Sequence, residues 1–449
     1  MGYLLIDLNF GRGDLLDYTT ELCLKKKSIY GFHIELTLKQ LEPTCISYKS
    51  GLRLVYLHKP SEVAHVGYFY RAGSRFENQN QTGLAHFLEH CVFKGTKKRN
   101  GIQTISRIDE VGGELNAYTA KEELCLHASF PKAHTERAIE LLSDISINPI
   151  FTKKEVEKEK EIIFDEINSY LDSPYDKIFD DFEEELFKGH ALGNNILGVK
   201  ADLENLNKTD LEGFVKDYFS KENLVVSFVG DISLKVIERM LRKHLDTMPE
   251  KGSPVEIDSF SGYKPFHIFR KEANYQAHLV MGGMAPSYFH ENRTAMAMLM
   301  NMIGGPAMNA TLNISLRERH VLAYSVEANY VPYTDVGFWQ IYVGCESKNI
   351  KKSIKLIEKE LDRLQKKPIS AAKLTKVKQQ FKGQLALSMD VNSSLMHSLG
   401  KSFLAFGQID TIDEIHKRID KISAVELQNL ALTFMQKSLV SSLVFDLKD

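Results

Sequence analysis

Short segments in the second half of this chain restate segments of the first, in order and at nearly constant spacing. Phe219, Leu224, Val226 and Asp231 recur as Phe434, Leu439, Ser441 and Asp446, a shift of 215 (434 − 219). Ala64-His65-Val66 resembles Ala277-His278-Leu279 at a shift of 213 (277 − 64). Asn148-Pro149-Ile150 stands before one long helical pattern and Lys367-Pro368-Ile369 before another, at 219 (367 − 148). Two units of about 200 residues each, arising by duplication, are therefore expected. The length agrees, since 449 residues exceed one ordinary core.

Within the first unit the pattern alternates between strand-like and helical stretches. Leu52–Leu57, Ala64–Arg71 and Leu224–Val229 read as strands, and a strand-like run lies within Asn116–Phe130. Lys153–Leu171 reads as a long charged helix, and a helix follows Thr82, which can cap it. Residues 1–35 show no clear period and are treated as an N-terminal appendage. Pro249, Gly252, Ser253, Pro254, Ser259, Ser261, Gly262 and Pro265 crowd one stretch, so residues 251–265 are expected to link a unit at 36–250 to one at 266–449.

Net charge is −2, which favours neither nucleic acid nor an anionic membrane as partner. No apolar stretch approaches a membrane span, so no membrane insertion is expected. The N-terminus lacks the basic and apolar regions of a secretory signal, and Ile6 stands where a myristoylation site would need Ser or Thr. Five cysteines, an odd number, contain no C-x-x-C, so neither a disulfide framework nor a cysteine-zinc knuckle is expected. A reducing, cytoplasmic setting fits this usage. Cys91 follows His90 directly, but on a helix it points about 100° away and reads as a buried structural thiol.

The chemistry is concentrated in His86-Phe87-Leu88-Glu89-His90. Residues four apart on a helix lie one above the other, and a residue three after the first shares their face. The spacing can hold one Zn²⁺ between two imidazoles with a carboxylate beside the metal's water. H-x-x-E-H is the inverted zinc-protease order. The corresponding helix of the second half, carried across at 213, has Leu299, Met302 and Ile303 at these positions, so only one half could hold metal.

A catalytic zinc needs a third protein ligand. The long helix offers a stripe of Glu155, Glu159, Ile162 and Glu166. Glu155 and Glu157 read as a solvated face. Glu166 lies where the pattern turns apolar, Ile162-Ile163-Phe164-Asp165-Glu166-Ile167, and is expected to be buried and paired with something positive. Glu159, two turns earlier, is placed to orient a ligand from behind.

The pentapeptide continues into Cys91-Val92-Phe93-Lys94-Gly95-Thr96, and Glu166 follows His90 by 76 positions (166 − 90). With the duplicated halves, this resembles the pitrilysin family of zinc peptidases over about residues 40 to 449. The length is similar to its short-subunit branch, that of mitochondrial processing peptidase and its bacterial relatives. The resemblance implies an α+β fold of two duplicated α/β units, each an antiparallel-rich mixed sheet with helices packed mainly on one face. It implies one Zn²⁺ per chain on His86, His90 and Glu166, with Glu89 as general base and Glu159 holding the ligands in place.

Further contacts follow from the same resemblance. Gly112-Gly113-Glu114-Leu115-Asn116-Ala117-Tyr118-Thr119 resembles the segment whose strand edge receives substrate, with Asn116, Ala117, Tyr118 and Thr119 pairing to an extended peptide. Leu316-Arg317-Glu318-Arg319-His320-Val321-Leu322-Ala323-Tyr324 resembles the family's Arg/Tyr element. There Arg317 and Tyr324 bind substrate carbonyl oxygens and stabilise the oxyanion, with Arg319 as the competing candidate. Carrying both elements in one chain implies a self-sufficient peptidase, with a homodimer enclosing a chamber preferred. The alternatives are a non-catalytic structural or assembly subunit, in which loss of ligands is expected, and a peptide-binding protein with a purely structural zinc.

Overall fold

The structure is a computed structural model and describes residues 42–272 and 275–448. The first half runs β1 (Thr44–Ser47), β2 (Arg53–His58), β3 (Val63–Tyr70), α1 (Leu84–Val92), α2 (Gly101–Asp109), β4 (Glu114–Thr119) and β5 (Leu124–Pro131). It continues through α3 (Thr135–Ile147), α4 (Lys153–Leu171), α5 (Pro174–Leu186), α6 (Lys200–Asn205), α7 (Lys208–Tyr218), β6 (Leu224–Gly230) and α8 (Leu234–His244). The second half has β7 (His267–Glu272), β8 (Ala277–Ala285), α9 (Arg293–Gly304), β9 (Ala323–Pro332), β10 (Gly337–Cys345) and α10 (Ile350–Lys366). It closes with α11 (Ala371–Asp390), α12 (Asn392–Phe406), α13 (Ile412–Lys421), α14 (Ala424–Phe434) and β11 (Ser441–Leu447). None of these helices is long and apolar enough to cross a membrane. The appendage at residues 1–35 lies outside the described residues.

The two sheets share one topology. The first has the order β1-β2-β6-β3-β5-β4 and the second β7-β11-β8-β10-β9. Apart from β1, each places its first strand parallel to its last and pairs the others antiparallel. The strand-like run within Asn116–Phe130 resolves into the β4–β5 hairpin, and β4 and β9 are the corresponding edge strands. Strand pairing also corrects the repeat. Val66 faces Phe228 in the first sheet, and Leu279 faces Val444 in the second. With β3 and β8 related by 213 (279 − 66), β6 and β11 are related by 216 (444 − 228), not 215. A one-residue slip exchanges the two faces of a strand. Phe228 and Val444 both lie in the helix-covered cores, which the shift of 215 would not allow.

Most helices cover one face of each sheet, and their apolar faces build the two largest cores. The opposite faces are covered by exchange. Helix α12, from the second half, lies on β3 and β6, where Met396, Leu399 and Phe403 meet Phe69, Val225 and Val229. Helix α5, from the first half, lies on β8 and β11, where Phe182 and Leu186 meet Val280, Tyr342 and Leu443. Glycine permits the close approach of α12, since a Cβ on Gly400 would stand 2.2 Å from the Phe69 ring. Each half therefore completes the other's core.

Under α12 the imidazoles of His65, His127 and His397 gather with Lys401, and the His127 and His397 ring centroids are 4.4 Å apart. The other charged and titratable groups there are Glu114 and Tyr118 on β4, Cys125 on β5 and Glu123 beside it. Burial, then neighbouring positive groups, pushes His127 down to about 4 and His397 down to about 3. Folded-state values below the unfolded value of about 6.5 mean that the unfolded chain binds more protons on acidification. Stability is thus full above about pH 6.5 and is lost as pH falls toward those folded values. The denaturant midpoint is expected to drop between pH 6.5 and 4, and His397→Leu should flatten that slope. An unchanged slope in the variant would remove this account.

Candidate metal centre

Helix α1 starts where ordinary side chains do not fit. Gly83, at φ 88°, precedes it, and a Cβ there would lie 2.7 Å from the Leu197 carbonyl oxygen. Thr82 does not cap the helix as expected; its hydroxyl donates to Asp202 Oδ2 at 2.6 Å. The Glu77 carboxylate takes that place, accepting from the backbone N–H groups of Gly83 at 2.9 Å and Ala85 at 2.8 Å. An acid at a helix N-terminus meets unpaired donors and the positive end of the dipole. Even so, burial pushes Glu77 up to about 8. With Leu84, Phe87, Leu88 and Cys91 sunk in the core, α1 turns His86, Glu89 and His90 toward α4 and β4. Cys91 is 1% exposed and its thiol is pushed up to about 12 by burial, an inert packing residue as expected.

Helix α4 is capped by Thr152, which accepts from the Glu155 N–H. Its carboxylates meet α1 at two levels. Glu166 Oε2 is 3.4 Å from His90 Nε2 and 3.8 Å from His86 Nε2. Among the described residues, His86, His90 and Glu166 form the group whose donor atoms all lie within 4.8 Å of one another. A tetrahedral zinc with ligands at about 2.0–2.1 Å would hold them about 3.3 Å apart, so this trio fits the metal. Burial, then the neighbouring His90, pushes His86 down to about 4 and keeps it neutral, the form that ligates. Its Nδ1 is buried without a hydrogen-bond partner, which leaves Nε2 as its useful atom.

Glu166 departs from expectation. Its side chain is 43% exposed, whereas Glu159 is 1% exposed. The run Ile162-Ile163-Phe164 is not one face: only Ile163 enters the core and Ile162 is exposed, so the helix carries Glu166 to the open side. Glu159 Oε2 is 3.5 Å from His90 Nδ1, and its Oε1 is 2.8 Å from Lys94 Nζ. The carboxylate thus stands behind His90, with Lys94 as its counter-charge. Sequence reasoning passed over Lys94, which stands four residues after His90, just past the end of α1.

Glu89 lies outside the trio and accepts from the Thr119 hydroxyl at 2.6 Å. Burial pushes its carboxyl up, and the Thr119 hydrogen bond works against that. Thr119 ends β4, which among the described residues pairs only with β5, so its other edge is unpaired there. Asn116 Oδ1 accepts from the Ala117 N–H at 2.9 Å. Beside this edge an open cleft of about 290 Å³ runs past Glu89, His90 and Lys94 and is floored by Phe93, Ile105 and Leu115. Ile105 and Leu115 escaped sequence reasoning, because α2 and β4 meet only in the fold.

Arg317 lies in a π-helical turn, Asn313–Arg319, with its side chain 52% exposed and 4.0 Å from Glu318. Tyr324 is the second residue of the edge strand β9 and donates to Glu346 Oε1 at 3.3 Å. Their partners belong to the second half, and the structure brings neither into contact with the trio. Arg319 is likewise exposed. Leu299, Met302 and Ile303 are buried in the second core and offer no ligand.

Residues 53–200 match Insulinase (Peptidase family M16), and residues 205–381 match Peptidase M16 inactive domain. The chain belongs to peptidase family M16. It is 32% identical over 387 residues to the uncharacterized zinc protease YmxG of Bacillus subtilis, which covers 85% of this chain and 92% of that one. It is 29% identical over 393 residues to an uncharacterized zinc protease of Mycobacterium leprae, across 86% and 88% of the two chains. In fold it resembles a protease from Helicobacter pylori, with TM-score 0.82 and 18% identity over 90% of this chain and 99% of that one. A peptidase M16 inactive domain from Pseudomonas fluorescens superposes with TM-score 0.84 at 14% identity, over 91% and 98%.

Lys94→Met should leave the Glu159 carboxylate buried beside His90 without its cation. A destabilisation of about 1–3 kcal/mol is expected in urea unfolding. A midpoint equal to that of the unaltered protein would show that Lys94 does not support Glu159.

Proposed function

We propose that this chain is a zinc-dependent endopeptidase acting on peptides or unfolded polypeptide segments. The observation that carries the reading is the division of labour on α1: His86 and His90 converge with Glu166, while Glu89 stands beside them outside the trio. A closed structural site has no use for that free carboxylate. The alternative of a non-catalytic assembly subunit expects eroded ligands, and the full set is present. We propose one Zn²⁺ per chain, held by His86, His90 and Glu166.

When bound, the metal supplies a Lewis acid that lowers the pKa of water toward neutrality and polarises the scissile carbonyl. Glu89 accepts the proton of the attacking water and delivers it to the leaving amine. The Thr119 hydroxyl keeps that carboxylate aimed, and Glu159 fixes the His90 ring. An extended peptide adds to the free edge of β4 at Asn116–Thr119, taking the Ala117 N–H from Asn116 Oδ1. Phe93, Ile105 and Leu115 then receive an apolar side chain close to the cleaved bond. Arg317 and Tyr324 are assigned to substrate carbonyl oxygens from the second half, where binding of the peptide would bring them into use. Buried free thiols at Cys91, Cys125 and Cys345 fit a reducing, cytoplasmic setting.

The test joins metal binding to cleavage. Zinc titrated against a chromogenic chelator should reach one per chain, His86→Ala should abolish binding, and Glu159→Gln should weaken it by about 10- to 100-fold. Glu89→Gln should bind zinc normally and lose cleavage of an unstructured peptide by at least about 100-fold. Unimpaired cleavage by Glu89→Gln would sink the mechanism. We further propose a homodimer enclosing the active centres; sedimentation showing a fully active monomer would remove it.

A further inference from the structure

The turn between β4 and β5 carries Lys121, Glu122 and Glu123 in succession, and all three are buried. Hairpin turns ordinarily face water, and three adjacent buried charges are costly unless each is matched. Each is matched, and two of the partners come from the second half. Glu122 accepts from the Thr334 backbone N–H at 3.1 Å and the Thr334 hydroxyl at 2.9 Å, as well as from Arg75 Nη1 at 2.6 Å. Glu123 lies 3.3 Å from Lys401 Nζ on α12. Lys121 is 3.8 Å from Glu183 on α5, itself packed on the second sheet.

The same turn begins one residue after Thr119, the residue that holds Glu89. Its backbone has little freedom. Ala120 N–H donates to the Glu123 carbonyl at 2.8 Å, and Arg75 N–H donates to the Lys121 carbonyl at 2.8 Å. A Cβ on Gly73 would stand 2.4 Å from the Ala120 carbonyl oxygen, so the neighbouring segment is pressed directly against the turn. A displacement of Glu122 or Glu123 must therefore be passed to Thr119.

We propose that Thr334 and Lys401 are positioning residues for Glu89, acting across the boundary between the halves through Glu122, Glu123 and Thr119. The inference rests on the reading of Glu89 as general base. Neither residue touches the trio, and the base is set only while the second half grips the turn.

The test is a double-mutant cycle in the full chain. Thr334→Val, and separately Lys401→Met, should lower kcat by about 10-fold or more with KM changed less than about twofold, while zinc binds unchanged. In a Thr119→Ala background the further loss should shrink to less than about twofold, since the link is already cut. Thr119→Ser, which keeps a hydroxyl, should retain the coupling. Losses that multiply independently, or an unaltered kcat, would overturn the proposal. Amide exchange across Glu114–Thr119 reads the same grip without catalysis, and should quicken in Thr334→Val. Unchanged exchange overturns the coupling whatever Glu89 does. Quickened exchange with a fully active Glu89→Gln overturns the reading of Glu89 and leaves the mechanical link standing.

Discussion

A single guanidinium stands where the two halves, the connecting segment and the β4–β5 hairpin meet. Arg75 Nη1 lies 2.6 Å from both Glu122 Oε1 and Asp335 Oδ1, and its Nη2 donates to the Asp258 carbonyl at 2.6 Å. Its side chain is 2% exposed. Removing either partner would leave charge uncompensated inside the protein, so the three segments are committed to one arrangement. Two residues later in the chain, Glu77 caps the helix that presents the histidines. The ion cluster and the start of the helix that carries His86 and His90 are thus built from one short stretch of backbone, and a shift at the boundary of the halves is a shift at the candidate site.

The exchange of α5 and α12 explains why that boundary is extensive. A sheet with helices on only one face leaves the other face wet, and here each half borrows a helix to cover it. The apolar contacts are aromatic and aliphatic, and polar ones join them, among them Lys401 with Glu123 and Ser227 with the Met396 carbonyl under α12, and Lys177 of α5 with Glu272. The halves consequently behave as one packed body whose energy is spread over four cores.

Much of the site was legible because helix periodicity is short-range. His86, Glu89 and His90 share a face from their spacing alone, and Lys153–Leu171 is a helix with the bounds its pattern suggests. What misled was burial. Glu159 and Glu166 lie two turns apart on one helix, yet one is buried against Lys94 and the other is exposed. That difference depends on where α1 crosses α4. The register of the repeat failed for a related reason: matching residue identities aligned β6 with β11 one position out, and only the ladder partners tell which face is inward.

The sequence by itself determined that there are two duplicated α/β units, and that His86, Glu89 and His90 share one helical face in the first of them. These depend on composition, repetition and local period, which the chain carries wherever it folds. The tertiary structure alone decided that Thr119 holds Glu89, that Phe93, Ile105 and Leu115 floor the cleft, and that each half is capped by a helix of the other. Those facts arise from contacts between residues distant in the chain, made definite by close packing and by the cost of leaving buried charge unpaired.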